Sequence, residues 1–163
     1  MKRNQKGFSL IEVLISVLVI SVGVLGIVAL QVTSTVYAES SIHRGQASML
    51  AREIVERMRV NTDESLAGNY DINTLPALTR VCTGAATDCS PSQIREHDLR
   101  SWSARVAALL PGSDASIVTD TSVDPVSVVV TLSWTSRRSA GVISGASMAK
   151  QQTFTFQLHG LGL

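Results

Sequence analysis

The strongest pattern along the chain is a block with almost no charge. Across residues 8–38 only Glu12 is charged, and residues 13–30 are eighteen successive uncharged positions with Ser16 and Ser21 as the sole polar members. As a helix rising about 1.5 Å per residue, that run approaches the roughly 30 Å hydrocarbon core of a bilayer. From Gln31 the pattern turns mixed, yet Ala47, Leu50, Ile54 and Met58 keep the spacing of one helical face. No proline occurs before Pro76. The pattern predicts one helix over residues 9–59, apolar all round in its first half and amphipathic in its second. Glu53 and Arg57 form a favourably ordered i, i+4 pair on its more exposed face. Asn61, Thr62 and Asp63 mark its stop.

Residues 61–90 show no periodicity and read as a connecting loop, with a short strand near 78–81. Ser90-Pro91-Ser92-Gln93 reads as a helix start, with serine at the cap, proline at the first helical position and glutamine at the third. Ile94, Leu99, Trp102, Val106, Leu109 and Leu110 then recur on one face, and Pro111-Gly112 ends the element. The last third is strand material. Val126, Val128, Val130, Leu132 and Trp134 alternate with Ser127, Val129, Thr131, Ser133 and Thr135; Phe154, Phe156 and Leu158 alternate in the same way. Residues 115–118 are a shorter candidate, joined to the second strand by a turn over 120–125. Between the two best strands, residues 136–151 read as an exposed Ser/Gly/Ala-rich loop. A long helix whose amphipathic half lies on a small antiparallel sheet makes the fold class α+β.

Charge sharpens this picture. The formal net charge is +1, but Lys2, Arg3 and Lys6 crowd the first seven positions; the remaining eleven basic residues face thirteen acidic ones. The body is therefore not basic enough to suggest nucleic-acid binding as its main task. A basic flank before an apolar run keeps the start cytoplasmic and sends the rest across the membrane. A secretory signal peptide shares that outline, but the small-residue cleavage site after the run is missing and Glu12 sits near its start. Within an apolar span a carboxylate costs about 2.5–3.5 kcal/mol at the bilayer centre and less near an interface, so Glu12 calls for a partner or an interfacial position.

Cys82 and Cys89 are the only cysteines. In an exported domain they are expected to form a disulfide. Two thiols with His43, His97 and His159 scattered elsewhere do not make a metal site, and no metal or cofactor is expected. Glu96-His97-Asp98 resembles acid–base machinery only on paper, since neighbours on a helix point apart, and it reads as a solvated face. No G-x-S-x-G, H-E-x-x-H or phosphate loop is present, so no catalytic residue and no enzyme is expected. Gly23 and Gly26 read as close helix packing in a membrane.

The stretch Lys6-Gly7-Phe8-Ser9-Leu10-Ile11-Glu12-Val13 resembles the processing site of type IV prepilins and of type II secretion pseudopilins. In those families a short basic leader ends in glycine, phenylalanine usually follows, and glutamate stands fifth in the mature chain; Gly7, Phe8 and Glu12 fill those places. The resemblance implies cleavage between Gly7 and Phe8 by a prepilin peptidase, with N-methylation of Phe8. It also supplies the partner of Glu12: the charged N-terminus of a neighbouring subunit, setting axial register in the filament. The implied fold is the type IV pilin fold. Residues 1–7 are then a cleaved leader, 8–30 the transmembrane and filament-core half-helix, and 31–163 a periplasmic head that includes the rest of the helix.

Further stretches resemble one branch, the PilV-type minor pilins or type IV pilus modification proteins. These are Ser21-Val22-Gly23-Val24-Leu25-Gly26-Ile27 with Ala29-Leu30-Gln31, then Leu50-Ala51 leading to Glu56-Arg57-Met58-Arg59-Val60-Asn61. Asp98-Leu99, Trp102 and Leu110-Pro111-Gly112 complete them. Many major pilins carry a proline where Val28 and Ala29 stand, and a C-terminal disulfide loop; here the cysteines come earlier. The resemblance implies a minor subunit that helps initiate the filament. It would sit as a single pass in the bacterial inner membrane and then in the pilus. Implied partners are other minor and major pilins, the prepilin peptidase and the pilus assembly platform, with no specific nucleic acid. The alternatives are a type II secretion pseudopilin and a competence minor pilin for DNA uptake. Arg137-Arg138 is the one basic pair that could serve the latter.

Overall fold

A computed structural model of the chain describes residues 7, 9–77, 81–82, 89–137 and 147–158. The first element, α1 (Leu10–Val60), is a single helix of 51 residues. With no proline inside it, nothing interrupts the hydrogen-bond ladder. Four of its hydroxyls are turned back on the helix. Ser16, Ser21, Thr33 and Thr35 each donate to the carbonyl four residues earlier, at 2.7–3.0 Å. That arrangement hides polar atoms that the apolar half could not otherwise satisfy. α1 ends at Asn61, whose N–H bonds Arg57 O at 3.2 Å.

The expected loop over 61–90 is corrected in its first part. A short helix, α2 (Thr62–Leu66), follows at once, and Ser65, fully buried, donates towards Met58 O at 2.7 Å. Ile72 then makes an isolated bridge with Ile117. The strand suggested near 78–81 falls on residues 78–80, outside the described residues, while Val81 is irregular.

The second long helix, α3 (Pro91–Leu109), starts as its sequence demands. The Ser90 hydroxyl accepts from Gln93 N–H, and the Gln93 side chain accepts from Ser90 N–H at 3.1 Å, a complete capping box with Pro91 at its first position. Its buried face is Leu99, Trp102 and Val106, continued by Leu110; Ile94 is 36 % exposed and does not belong to it. Beyond α3, Gly112 has φ +56°, and a side chain there would meet Thr135 at 3.1 Å. Pro111 O accepts both the N–H and the hydroxyl of Thr135 at 2.9 Å, so this turn is pinned to the sheet.

Three antiparallel strands follow: β1 (Asp114–Asp120), β2 (Val126–Arg137) and β3 (Ser147–Leu158), in the order β1-β2-β3. The loop expected over 136–151 is thus too long at both ends, because Arg137 pairs with Ser147 and Trp134 with Lys150. Pairing to β2 carries β3 well beyond its alternating apolar stretch. The predicted face does line the core: Val128, Val130, Leu132 and Trp134 are at most 2 % exposed, with Ala115, Ile117 and Leu158 beside them. Against this face pack Ala47, Leu50, Ala51, Ile54, Val55 and Met58 of α1 and the Trp102 face of α3. The result is a long helix on a small three-stranded antiparallel sheet, an α+β layer pair of the type IV pilin kind.

Candidate functional site

No residue between positions 10 and 46 is buried. Residues 10–32 are exposed throughout and stand clear of the head, the unit that shares the core from Ala47 onward. That stretch is roughly 35 Å of helix. Its large apolar side chains face outward, among them Leu10 at 80 %, Leu18 at 65 % and Leu25 at 69 % exposed. It contains an eighteen-residue stretch of mean hydropathy 3.0, none of it buried in the fold, and so is long and apolar enough to cross a membrane. A surface of this kind cannot face water; it needs lipid or other helices.

Glu12 lies in the first turn of α1, exposed, with its N–H bonded to Ser9 O at 3.1 Å. The free N–H groups of that turn favour a carboxylate there. Ser9 is extended, at φ −75° and ψ 143°, so the chain leaves the helix just above the expected cut. Gly7 is exposed in irregular chain, and a side chain on it would meet nothing within 4 Å. Phe8 lies outside the described residues. A side chain at Gly23 or Gly26 would likewise meet nothing, so neither glycine is required by the single subunit.

The remaining polar residues build the head rather than a reaction centre. Glu53 accepts from Arg57 at 2.7 Å and faces Arg105 at 3.3 Å. Arg57 also reaches Asp98 at 3.5 Å, its carbonyl at 3.1 Å, and the Ser101 hydroxyl. Asp98 accepts from the Tyr70 hydroxyl at 2.9 Å, and that hydroxyl accepts from Asn61 Nδ2 at 3.2 Å. Arg95 and Glu64 pair at 2.9 Å.

Two readings are corrected here. Asp98 and His97 are not a solvated face, and Glu53 with Arg57 is a half-buried pair that ties α1 to α3. Sequence reasoning missed Tyr70 altogether, since a lone aromatic in a Gly/Asn-rich stretch carries no periodic signal, and it read Asn61 only as a helix stop. Trp102 adds an uncharged tie, its indole N–H donating to Leu50 O at 2.8 Å.

Burial pushes the Tyr70 phenol well above its ordinary 10.0, with the Asp98 charge acting in the same direction against the Asn61 hydrogen bond. The folded state therefore holds this proton more tightly than the unfolded chain. The contribution is fully present below pH about 10 and is lost as pH rises above it, with a slope approaching about 1.4 kcal/mol per pH unit. Urea unfolding of the full chain in detergent is expected to show this loss between pH 9 and 11. Tyr70→Phe should flatten that part of the profile while losing about 1 kcal/mol at neutral pH.

Cys82 and Cys89 are joined, with Cα atoms 6.4 Å apart. Cys82 N–H donates to His97 Nδ1 at 3.1 Å, which fastens the disulfide loop to α3. Closing so short a loop is worth roughly 2–3 kcal/mol in the chain-entropy model. Cys82→Ser is expected to lower the unfolding free energy by that amount in oxidising buffer and by nothing in reducing buffer.

Comparisons with known proteins agree with this architecture. The prokaryotic N-terminal methylation motif matches residues 2–28. The family model described as type IV pilin Tt1218 matches residues 29–100, through α1, α2 and the start of α3. No curated protein and no solved structure matches the chain. Type IV pilins are structural subunits, and their methylation motif implies processing by a prepilin peptidase, membrane anchoring and assembly with other pilus components. With the exposed apolar helix, the small sheet beneath its second half and these two adjoining matches, the chain is a type IV pilin-like protein and not an enzyme.

Proposed function

We propose that this protein is a minor pilin of a type IV pilus, cut between Gly7 and Phe8, methylated on Phe8 and helping to start the filament. The observation that carries the reading is the first half of α1: wholly exposed, apolar, and bearing one carboxylate in its first turn. Residues 1–7 act as the leader, 8–30 as the span and filament core, and 31–163 as a periplasmic head reached by a single pass. Gly7 supports the cut, since its lack of a side chain serves nothing in the fold. A peptidase that must close around extended chain has use for it.

Once the cut is made, the new amino group of one subunit and Glu12 of its neighbour are opposite charges in a core with little water, and their attraction fixes axial register. The minor role is supported by the resemblance to the PilV-type branch and by a cysteine pair placed before α3 rather than at the end of the sheet. A pseudopilin of type II secretion shares the same plan. Deletion of the gene, followed by counting surface pili and assaying exoprotein secretion, tests the choice. Loss of pili with normal secretion is expected; lost secretion with normal piliation would replace this reading by the pseudopilin.

A further inference from the structure

We propose that the outer edge of β3 is a docking site for an edge strand of a different pilin-like subunit, which extends the sheet by one strand. β3 ends the order β1-β2-β3, with twelve residues paired to β2 on one side. Among the described residues no backbone group bonds to its other side. Such a row of free N–H and C=O groups is a template for another strand, and proteins usually blunt it with prolines, bulges or several charges. β3 has no proline, its register with β2 runs without a bulge, and Lys150 is its only charge. The opposite edge is covered. Ile72 and Ile117 exchange backbone bonds at 3.0 and 2.9 Å, and Leu75 N–H donates to the Asp114 carboxylate at 2.9 Å.

The side chains set the pattern of the incoming strand. Val128 and Val130 on β2 are completely buried, whereas Phe156 and Phe154, their partners on β3, are only partly so. The cover over β3 is thus incomplete at Phe154 and Phe156, although Leu158 on the same row is buried. On the same row, the buried side-chain oxygen of Gln152 has no hydrogen-bond partner. The outer row, Gln151, Thr153, Thr155 and Gln157, is exposed hydroxyl and amide. An arriving strand of alternating apolar and small polar residues would set the former beside the phenylalanines and the latter beside the threonines.

Symmetry selects the occupant. α1 lies along the inner face of the sheet, and subunits anchored in one membrane or filament point their α1 helices the same way. A two-fold axis relating two such copies must run along α1, parallel to the sheet. That rotation turns the sheet over, so β3 against β3 would set the Phe row of one copy beside the Thr/Gln row of the other. A head-to-tail arrangement keeps the faces aligned but needs the outer edge of β1, where residues 72–75 already lie. A second copy fits neither way; the edge strand of a different subunit in the same orientation does.

The inference rests on membrane-anchored pilin assembly and not on the minor role. The test uses the full chain in its own cells, with benzoylphenylalanine at position 156, irradiation, and mass spectrometry of the joined peptides. A crosslink to an extended segment of another protein bearing the methylation motif is expected. A crosslink to a second copy alone, or none in a chain that enters filaments normally, overturns the proposal. Failure of leader cleavage and filament entry together would instead overturn the assembly reading beneath it.

Proline is then placed in turn at Thr153, Phe154 and Thr155. Successive N–H groups face β2 and the open edge alternately, so the variant that unfolds at the parental temperature marks an outward N–H. In that variant the crosslink is expected to fall at least about tenfold, the effect of about 1.4 kcal/mol of lost pairing. Parental crosslinking in the folded variant overturns the strand contact.

Discussion

A Glu12→Ala subunit is expected to lose its leader at the normal rate, remain in the membrane, and enter filaments at least about tenfold less often. The size follows from the pairing. Two unit charges about 4 Å apart attract by roughly 4 kcal/mol at an effective dielectric of about 20. A third of that already changes a population about tenfold. Glu12 is exposed and lies outside the core of the head, so the fold should not respond. Glu12→Gln keeps the shape and loses the charge; it should fail nearly as badly if attraction sets register. Quantifying cut subunit in membranes and in sheared pili separates processing from assembly. Normal incorporation of the cut Ala variant would show that register comes from apolar packing alone.

Trp102→Ala is expected to destabilise the head by about 3–5 kcal/mol, the usual range for emptying a buried tryptophan site. A domain of ordinary stability has only about 5–15 kcal/mol in hand. Trp102 is completely buried and sits where α3, α1 and the sheet meet. Its N–H bond to Leu50 O, at 2.8 Å, ties the two helices without charge, beside the charged ties made by Arg57 and Glu53. Trp102→Phe keeps most of the volume and drops the bond, so a loss of about 1 kcal/mol is expected. Urea unfolding in detergent, followed by circular dichroism of the full chain, distinguishes the two because α1 outside the head retains its own signal. Equal losses for both variants would mean that the hydrogen bond, not the volume, holds the junction.

The parts of the fold visible in the sequence are those where one local rule dominates. The alternation through Val126 to Trp134 fixed both a strand and its buried face, because a one-residue slip would turn all five side chains to water. Ser90, Pro91 and Gln93 fixed a helix start to the residue, because a capping box satisfies its donors within four positions. The first half of β3 is different. Ser147, Ala149 and Lys150 have no strand signature, and pairing to β2 makes them a strand.

The polar network was equally hidden, and for a similar reason. Arg57, Asp98 and Tyr70 are far apart in sequence, and only the packing of α3 on α1 brings them together. Glu12 was legible for the opposite reason: a charge in an apolar helix needs a reason to be there.

The uninterrupted α1 also has a mechanical consequence. Its apolar half is the part proposed to enter the assembly, and its other half packs one face against α3 and the sheet, so a pull on the head would be transmitted along the helix axis. Such a pull shears α1 against α3 and the sheet. It loads Glu53, Arg57, Trp102 and the apolar face from Ala47 to Met58 together instead of peeling them apart in sequence. The head is thereby built to fail late under tension along the fibre, and earlier when a strand is pulled away sideways.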